Sequence, residues 1–170
     1  GPNELGCGTS KNEGLTDFGK AAIKEMEKVG MLVDLSHISD AGFDDACSVA
    51  TKPLIASHSN SRAVCGHIRN VTDEQFKEYV KCGGLVGLNY SKDFICDDPE
   101  KADFDWLYRH IEHFLSLGGE KVVALGSDFD GTHVPECLSS VEKNADFYEY
   151  LLKKNLNEDL VRDIFFENAN

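Results

Sequence analysis

No Cys-x-x-Cys pair occurs among the six cysteines, Cys7, Cys47, Cys65, Cys82, Cys96 and Cys137. That removes the closely spaced ligands of a zinc ribbon and the dithiol of a thioredoxin-type site. No apolar run approaches the ~20 residues a membrane-spanning helix requires. The Gly1-Pro2 start carries no basic-then-apolar leader, so a cytoplasmic location with reduced thiols is the expectation. One pairing stays open, Cys65 with Cys96, because both fall in loops after adjacent strands. Basic residues are scarce and dispersed: 17 Lys and Arg stand against 30 Asp and Glu, for a net charge of -13. Phosphate binding needs clustered cations, so neither nucleic acid nor an anionic membrane surface is an expected partner. Cations suit the chain better.

What is present is an alternation. The chain has 170 residues, 41% of them apolar, enough to bury a core as a single domain over 1–170. Thr16 reads as a helix N-cap before Phe18, Ala22, Ile23, Met26 and Val29 at helical spacing, and Gly30 stands where a C-terminal glycine belongs. A strand-like run, Met31 to His37, follows. Residues 40–49 read as a helix, Pro53 to His58 as a second strand, and Thr72-Asp73-Glu74-Gln75 as a capping box opening a helix through Val80. Gly83-Gly84 closes it. Leu85 to Tyr90 is a third strand. Phe104, Leu107, Ile111, Phe114 and Leu115 stripe a helix that stops at Gly118-Gly119, and Val122 to Asp128 is a fourth strand. Helices near 140–154 and 158–168 finish the chain. Strands of nearly continuous Val, Leu, Ile and Gly alternating with amphipathic helices predict four βα units with a parallel sheet under a helical layer.

Polar residues collect where such strands end. His37 and His58 close the first two strands, Asn89 the third and Asp128 the fourth, which is the edge that carries ligands in open α/β sheets and in (β/α)8 barrels. Taken singly, each reads as a satisfied core or loop residue; four together point to a site. With one helix-length segment between their strands, the two imidazoles can reach the same point above the sheet, and a shared metal ion is the natural occupant. A buried Asp128 carboxylate also calls for a cation or donors beside it. Asp34 has the opposite side-chain parity from His37, so either a bulge re-aims it or it accepts hydrogen bonds from backbone or serine groups behind the site. Arg69 lies in the loop after the second strand, where its planar fork suits a substrate carboxylate or, equally, a surface carboxylate. His67 and His133 lie in loops on the same edge. His110 and His113, on an amphipathic helix beside Trp106 and Phe114, read as packing or surface residues.

The segments Gly14-Leu15-Thr16-Asp17-Phe18-Gly19, Gly30 to His37, Ser57-His58-Ser59, Arg69-Asn70-Val71 and Gly126-Ser127-Asp128-Phe129-Asp130-Gly131 closely resemble the renal (membrane) dipeptidase family, the M19 metallopeptidases. The resemblance implies a (β/α)8 barrel of the metal-dependent hydrolase type and a two-zinc site that hydrolyses dipeptides by a metal-activated water. It implies that His37 and His58 ligate one zinc, that Arg69 holds the substrate's terminal carboxylate, and that Asp128 meets the substrate's amino group and assists proton transfer.

Three family features are absent from the sequence: a His-x-Asp pair on the first strand, a bridging Glu on a later one and a further substrate-binding His. The chain therefore reads as the C-terminal half of the barrel, able to hold at most one zinc and expected to show little activity alone. Four parallel strands leave two edges and an apolar face uncovered, so a homo-oligomer, or association with the absent N-terminal half, is expected. A half-barrel that binds metal or peptide carboxylates without turnover, and another amidohydrolase-type hydrolase, are the alternatives.

Overall fold

Four short strands carry the apolar runs in the computed structural model, which describes residues 2–170. They are β1 (Val33–Asp34), β2 (Leu54–Ala56), β3 (Leu85–Asn89) and β4 (Val123–Ser127). The sheet order is β1-β2-β3-β4 and every pairing is parallel. Helices α1 (Asp17–Lys28), α2 (Asp40–Val49), α3 (Asp73–Cys82), α4 (Lys92–Ile95), α5 (Phe104–Ser116), α6 (Lys143–Lys153) and α7 (Glu158–Arg162) fill the connections and the C-terminal end. Neighbours in the sheet follow chain order without reversal. That is the winding of a (β/α)8 barrel rather than of a doubly wound sheet, and four consecutive βα units make one half of such a barrel.

Local chemistry sets the helix ends. Thr16 caps α1 through its hydroxyl, which accepts from the Gly19 N–H, and Gly30 takes a positive φ of 76° just beyond the helix. Both halves of the capping box at Thr72 and Gln75 are formed, and Gly83 ends α3 in the left-handed region. The core lies between sheet and helices, where Val86, Leu88 and Val123 meet Phe76, Tyr79, Ile111 and Phe114. Phe76 and Phe114 stack with ring centroids 4.1 Å apart, joining α3 to α5.

Four expectations need correction. The first strand is two residues rather than the whole run from Met31 to His37: pairing with β2 is confined to Val33 and Asp34, and beyond them the Ser36 N–H turns to the Asp34 side chain. The ladder is not lost at once, since the Leu35 N–H still donates to the Ile55 carbonyl at 2.8 Å. Met31, Leu32, Phe18 and Val29 are exposed rather than packed, for β1 is an edge strand with no further strand among the described residues to cover its flank. The last helix is also not continuous. After Arg162 the chain makes a π turn, Asp163–Glu167, that keeps Ile164 buried, and Asn168 then donates to the carbonyls of Glu120 and Val123 beside β4. Cys65 and Cys96 are buried and carry free thiols.

His110 ties the two loops of the functional edge to α5. Its Nδ1 accepts from the Ser61 N–H at 3.0 Å, so Nε2 carries the proton and donates to the Ile95 carbonyl at 2.8 Å. Burial holds its pKa down at about 4. Between that value and the ordinary imidazole range the unfolded chain binds a proton that the folded chain refuses, so stability rises with pH across this window. Denaturant unfolding should show a loss of about 2 kcal/mol from this group between pH 7 and pH 5. The slope should flatten in His110→Gln, and an equally steep slope in that variant would refute the assignment.

Candidate functional site

The ends of β1 and β2 are stitched together by one carboxylate. Asp34 accepts four hydrogen bonds: from the Ser36 N–H at 3.0 Å and the Ser36 hydroxyl at 2.7 Å, and from the Ser57 N–H at 3.0 Å and the Ser57 hydroxyl. Burial works to raise its pKa, but these donors outweigh it and the carboxyl stays below the ordinary range. Side-chain parity turns Asp34 away from His37, and it is the serines of both strand ends that satisfy it.

His58 is fixed by the same cluster. Its backbone N–H donates to the Ser36 hydroxyl at 3.1 Å, and its Nδ1 lies 2.8 Å from the Ser57 hydroxyl oxygen. Its Nε2 meets the Nε2 of His37 at 2.9 Å, with ring centroids 4.9 Å apart at 63°. Two lone pairs at that separation repel unless a proton or a cation lies between them. Two nitrogens each about 2.0–2.1 Å from a zinc ion would stand roughly 2.9–3.4 Å apart for bond angles between about 90° and 109°, so the pair fits one ion. The His37 pKa is lowered, first by desolvation and then by the positive charge of Arg69 and by His58, with Asp128 and Asp34 opposing. The shift favours the neutral imidazole, the form that ligates. Among the described residues no group of three or more His, Cys, Asp or Glu side chains is placed to hold a metal.

The close approach of β2, β3 and β4 beneath His58 depends on two glycines. A Cβ at Gly87 or at Gly126 would collide with the Ser57 carbonyl, and backbone cannot rotate away as a side chain can. The Ser59 N–H then donates to the Gly87 carbonyl at 2.7 Å, carrying the parallel ladder past the strand end.

Arg69 reaches His37 from the loop after β2, with Nη2 at 3.4 Å from Nε2. Phe94 lies under the guanidinium, 5.4 Å from its carbon to the ring centroid. The Nη1 of Arg69 is buried and has no partner among the described residues. Burial lowers the Arg69 pKa while Asp128 and Asp34 counteract it. A half-buried guanidinium with an unused donor can take a carboxylate on that donor.

Asp128 and Asn89 come together as well. Asn89 Nδ2 donates to Asp128 Oδ2 at 3.1 Å, and Asn89 Oδ1 accepts from the Ser91 N–H at 2.6 Å. Ser127 and Asp128 take positive φ angles of 46° and 71°, and Gly131 sits so close to the Asp128 carboxylate that a Cβ there would strike Oδ1. Non-glycine residues in that region carry strain, which is concentrated at functional sites.

The supporting residues Arg62 and Asn60 escaped sequence reasoning. Arg62 binds Asp40 through both Nη atoms at 2.8 Å and donates to the Asn70 and Ile68 carbonyls, bracing the Arg69 loop. Asn60 donates to the Asn89 and Phe94 carbonyls and accepts from the Asn89 N–H. Their partners lie 6 to 34 residues away, so no local pattern marks them. His67 accepts from the Arg69 N–H at Nδ1, and His113 pairs with Asp73, so neither joins the imidazole pair.

Comparison with known proteins finds relatives by sequence and by fold. An uncharacterized protein in the pqqA 5' region of Klebsiella pneumoniae is 39% identical over 131 residues, covering 75% of this chain and 48% of that protein. A metallo peptidase of Rhodobacter sphaeroides, solved with a phosphinate mimic of the dipeptide L-Ala-D-Ala, superposes with a TM-score of 0.90 at 32% identity. The match covers 97% of this chain and 48% of that one. An amidohydrolase of Pseudomonas aeruginosa superposes with a TM-score of 0.88 at 25% identity, over 98% of this chain and 59% of the other. The chain thus spans about half the length of the relatives it matches. The profile of the membrane dipeptidase family, peptidase family M19, matches residues 3–170, and the chain belongs to that family.

Proposed function

We propose that the chain carries part of a zinc-dependent dipeptidase site, in which His37 and His58 ligate one metal ion, Arg69 binds the substrate's C-terminal carboxylate, and Asp128 receives its amino group. The observation that carries this reading is the 2.9 Å approach of two imidazole Nε2 atoms beside a half-buried guanidinium whose Nη1 is buried without a partner among the described residues. The solved relative holding a dipeptide mimic supports the substrate class. A divalent ion held by His37 and His58 would supply Lewis acidity, to polarise the scissile carbonyl and lower the pKa of a water.

The chain's own residues orient the substrate. Arg69 anchors the carboxylate on a rigid fork, and Asn89 holds the Asp128 carboxylate by one oxygen, leaving the other for an ammonium or a transferred proton. Loss of the Asn89 hydrogen bond would free Asp128 to rotate away from that role.

Two imidazoles are fewer than the three protein ligands usual for catalytic zinc. Residues 1–170 therefore act in this reading as one domain comprising half of a barrel, closed by an upstream segment of a longer protein or by a second copy of the chain. Two apolar clefts flank the sheet: one of 380 Å3 beside β1, lined by Leu15, Ala22, Ile23, Met26 and Val33, and one of 530 Å3 beside β4, lined by Leu125, Val141, Tyr148, Phe165 and Phe166. They are where closing strands and their helices would pack. Six free thiols suit a reducing cytoplasm.

The zinc-supplemented 170-residue chain should hydrolyse a simple dipeptide no faster than zinc alone; efficient turnover would contradict the half-site. A sedimenting monomer assigns closure to an upstream segment, and a dimer assigns it to a second copy. Titration of the zinc-loaded chain, followed by NMR, should show a dipeptide binding at least about tenfold more tightly than its C-terminal amide, the ratio expected for one charged hydrogen bond of about 1.5–3 kcal/mol. The difference should vanish in Arg69→Met. Equal binding of acid and amide by the unaltered chain would refute the Arg69 role.

A further inference from the structure

We infer that Asp34 and Ser57 are positioning residues that hold the His58 imidazole in the Nδ1–H tautomer, so that its Nε2 lone pair always faces His37. This rests on the reading that His58 is a metal ligand, which it deepens by naming what aims that ligand.

A carboxylate only accepts, so the Ser57 hydroxyl, in contact with Asp34 Oδ2, must donate its one proton there. The Ser36 hydroxyl likewise gives its proton to Asp34 Oδ1 at 2.7 Å and accepts from the His58 N–H at 3.1 Å. Neither hydroxyl has a proton left. The Ser57 oxygen, 2.8 Å from His58 Nδ1, can therefore only accept, and Nδ1 must carry the hydrogen. In a neutral imidazole this leaves Nε2 as a lone pair, and that is the atom 2.9 Å from His37 Nε2. Metal-ligating histidines are usually oriented in this way by a direct carboxylate or carbonyl partner. Here a serine stands between carboxylate and imidazole, and the same carboxylate fastens β1 to β2.

Among the described residues His37 has no corresponding partner at Nδ1. His58 is therefore the preset member of the pair, and His37, from the open end of β1, is the one that adjusts.

The test reads the tautomer directly in the metal-free chain, where no metal chemistry enters. A two-bond 15N–1H correlation spectrum of the histidine-labelled protein at about pH 8, above the ordinary imidazole range, should show His58 in the Nδ1–H form. In Ser57→Ala it should shift towards the Nε2–H form that free imidazole prefers, leaving His110 and His67 unchanged, and zinc affinity should fall about 10–100-fold. Ser57→Thr should restore both. Finding His58 as the Nε2–H tautomer in the unaltered chain would overturn the inference, and that readout requires no variant to fold. So would a Ser57→Ala protein that keeps the Nδ1–H form and its zinc affinity. Absence of zinc binding with the tautomer as stated would sink the metal-site reading and leave the tautomer assignment standing.

Discussion

The Asp34 carboxylate is the constraint on which the rest of the site depends. Parallel strands align their C-terminal edges but do not set the orientation of side chains two or three residues past the last strand residue. Asp34 does so by collecting donors from both strand ends: two N–H groups and two hydroxyls from Ser36 and Ser57. Each is a short-range bond, and together they bring the segments carrying His37 and His58 to one distance. Charge-assisted hydrogen bonds of this kind are stronger than neutral ones, and four on one carboxylate give it little freedom.

Around that clamp the fold supplies steric permission and bracing. Gly87 and Gly126 admit the Ser57 carbonyl between β3 and β4. Arg62, held by Asp40, stiffens the loop that presents Arg69, and His110 fastens Ser61 at the start of the same loop. Asn60 joins that loop to Asn89 at the end of β3. Asn89 in turn holds Asp128 in its strained conformation after β4. The four strand ends thus bring His37, His58, Asn89 and Asp128 to one edge, with Asp34, Asn60 and Asn89 bonding neighbouring ends together.

Much of the fold was legible because it is written locally. Capping residues Thr16 and Thr72, the glycines at 30 and 83, and the alternation of apolar runs with amphipathic stretches give the helices and the parallel order directly. The imidazole pair was legible too, since strand-end placement needs only strand boundaries. What escaped depends on distant partners or on competition. Beyond Asp34, the β1 segment turns its Ser36 N–H to a side chain instead of continuing as strand. The bracing by Arg62 and Asn60 spans loops, and the π turn at 163–167 shows no break in hydrophobic spacing. The exposure of Met31, Leu32, Phe18 and Val29 reflects the edge position of β1, which an apolar pattern cannot reveal.

The central claim is that the two imidazoles share one cation through their Nε2 atoms, and X-ray absorption at the zinc edge of the loaded chain tests it most directly. Two imidazole nitrogens at about 2.0–2.1 Å are the predicted first shell, falling to one in His37→Ala and to one in His58→Ala. A sulfur scatterer at about 2.3 Å, or a first shell unchanged in either variant, would contradict it.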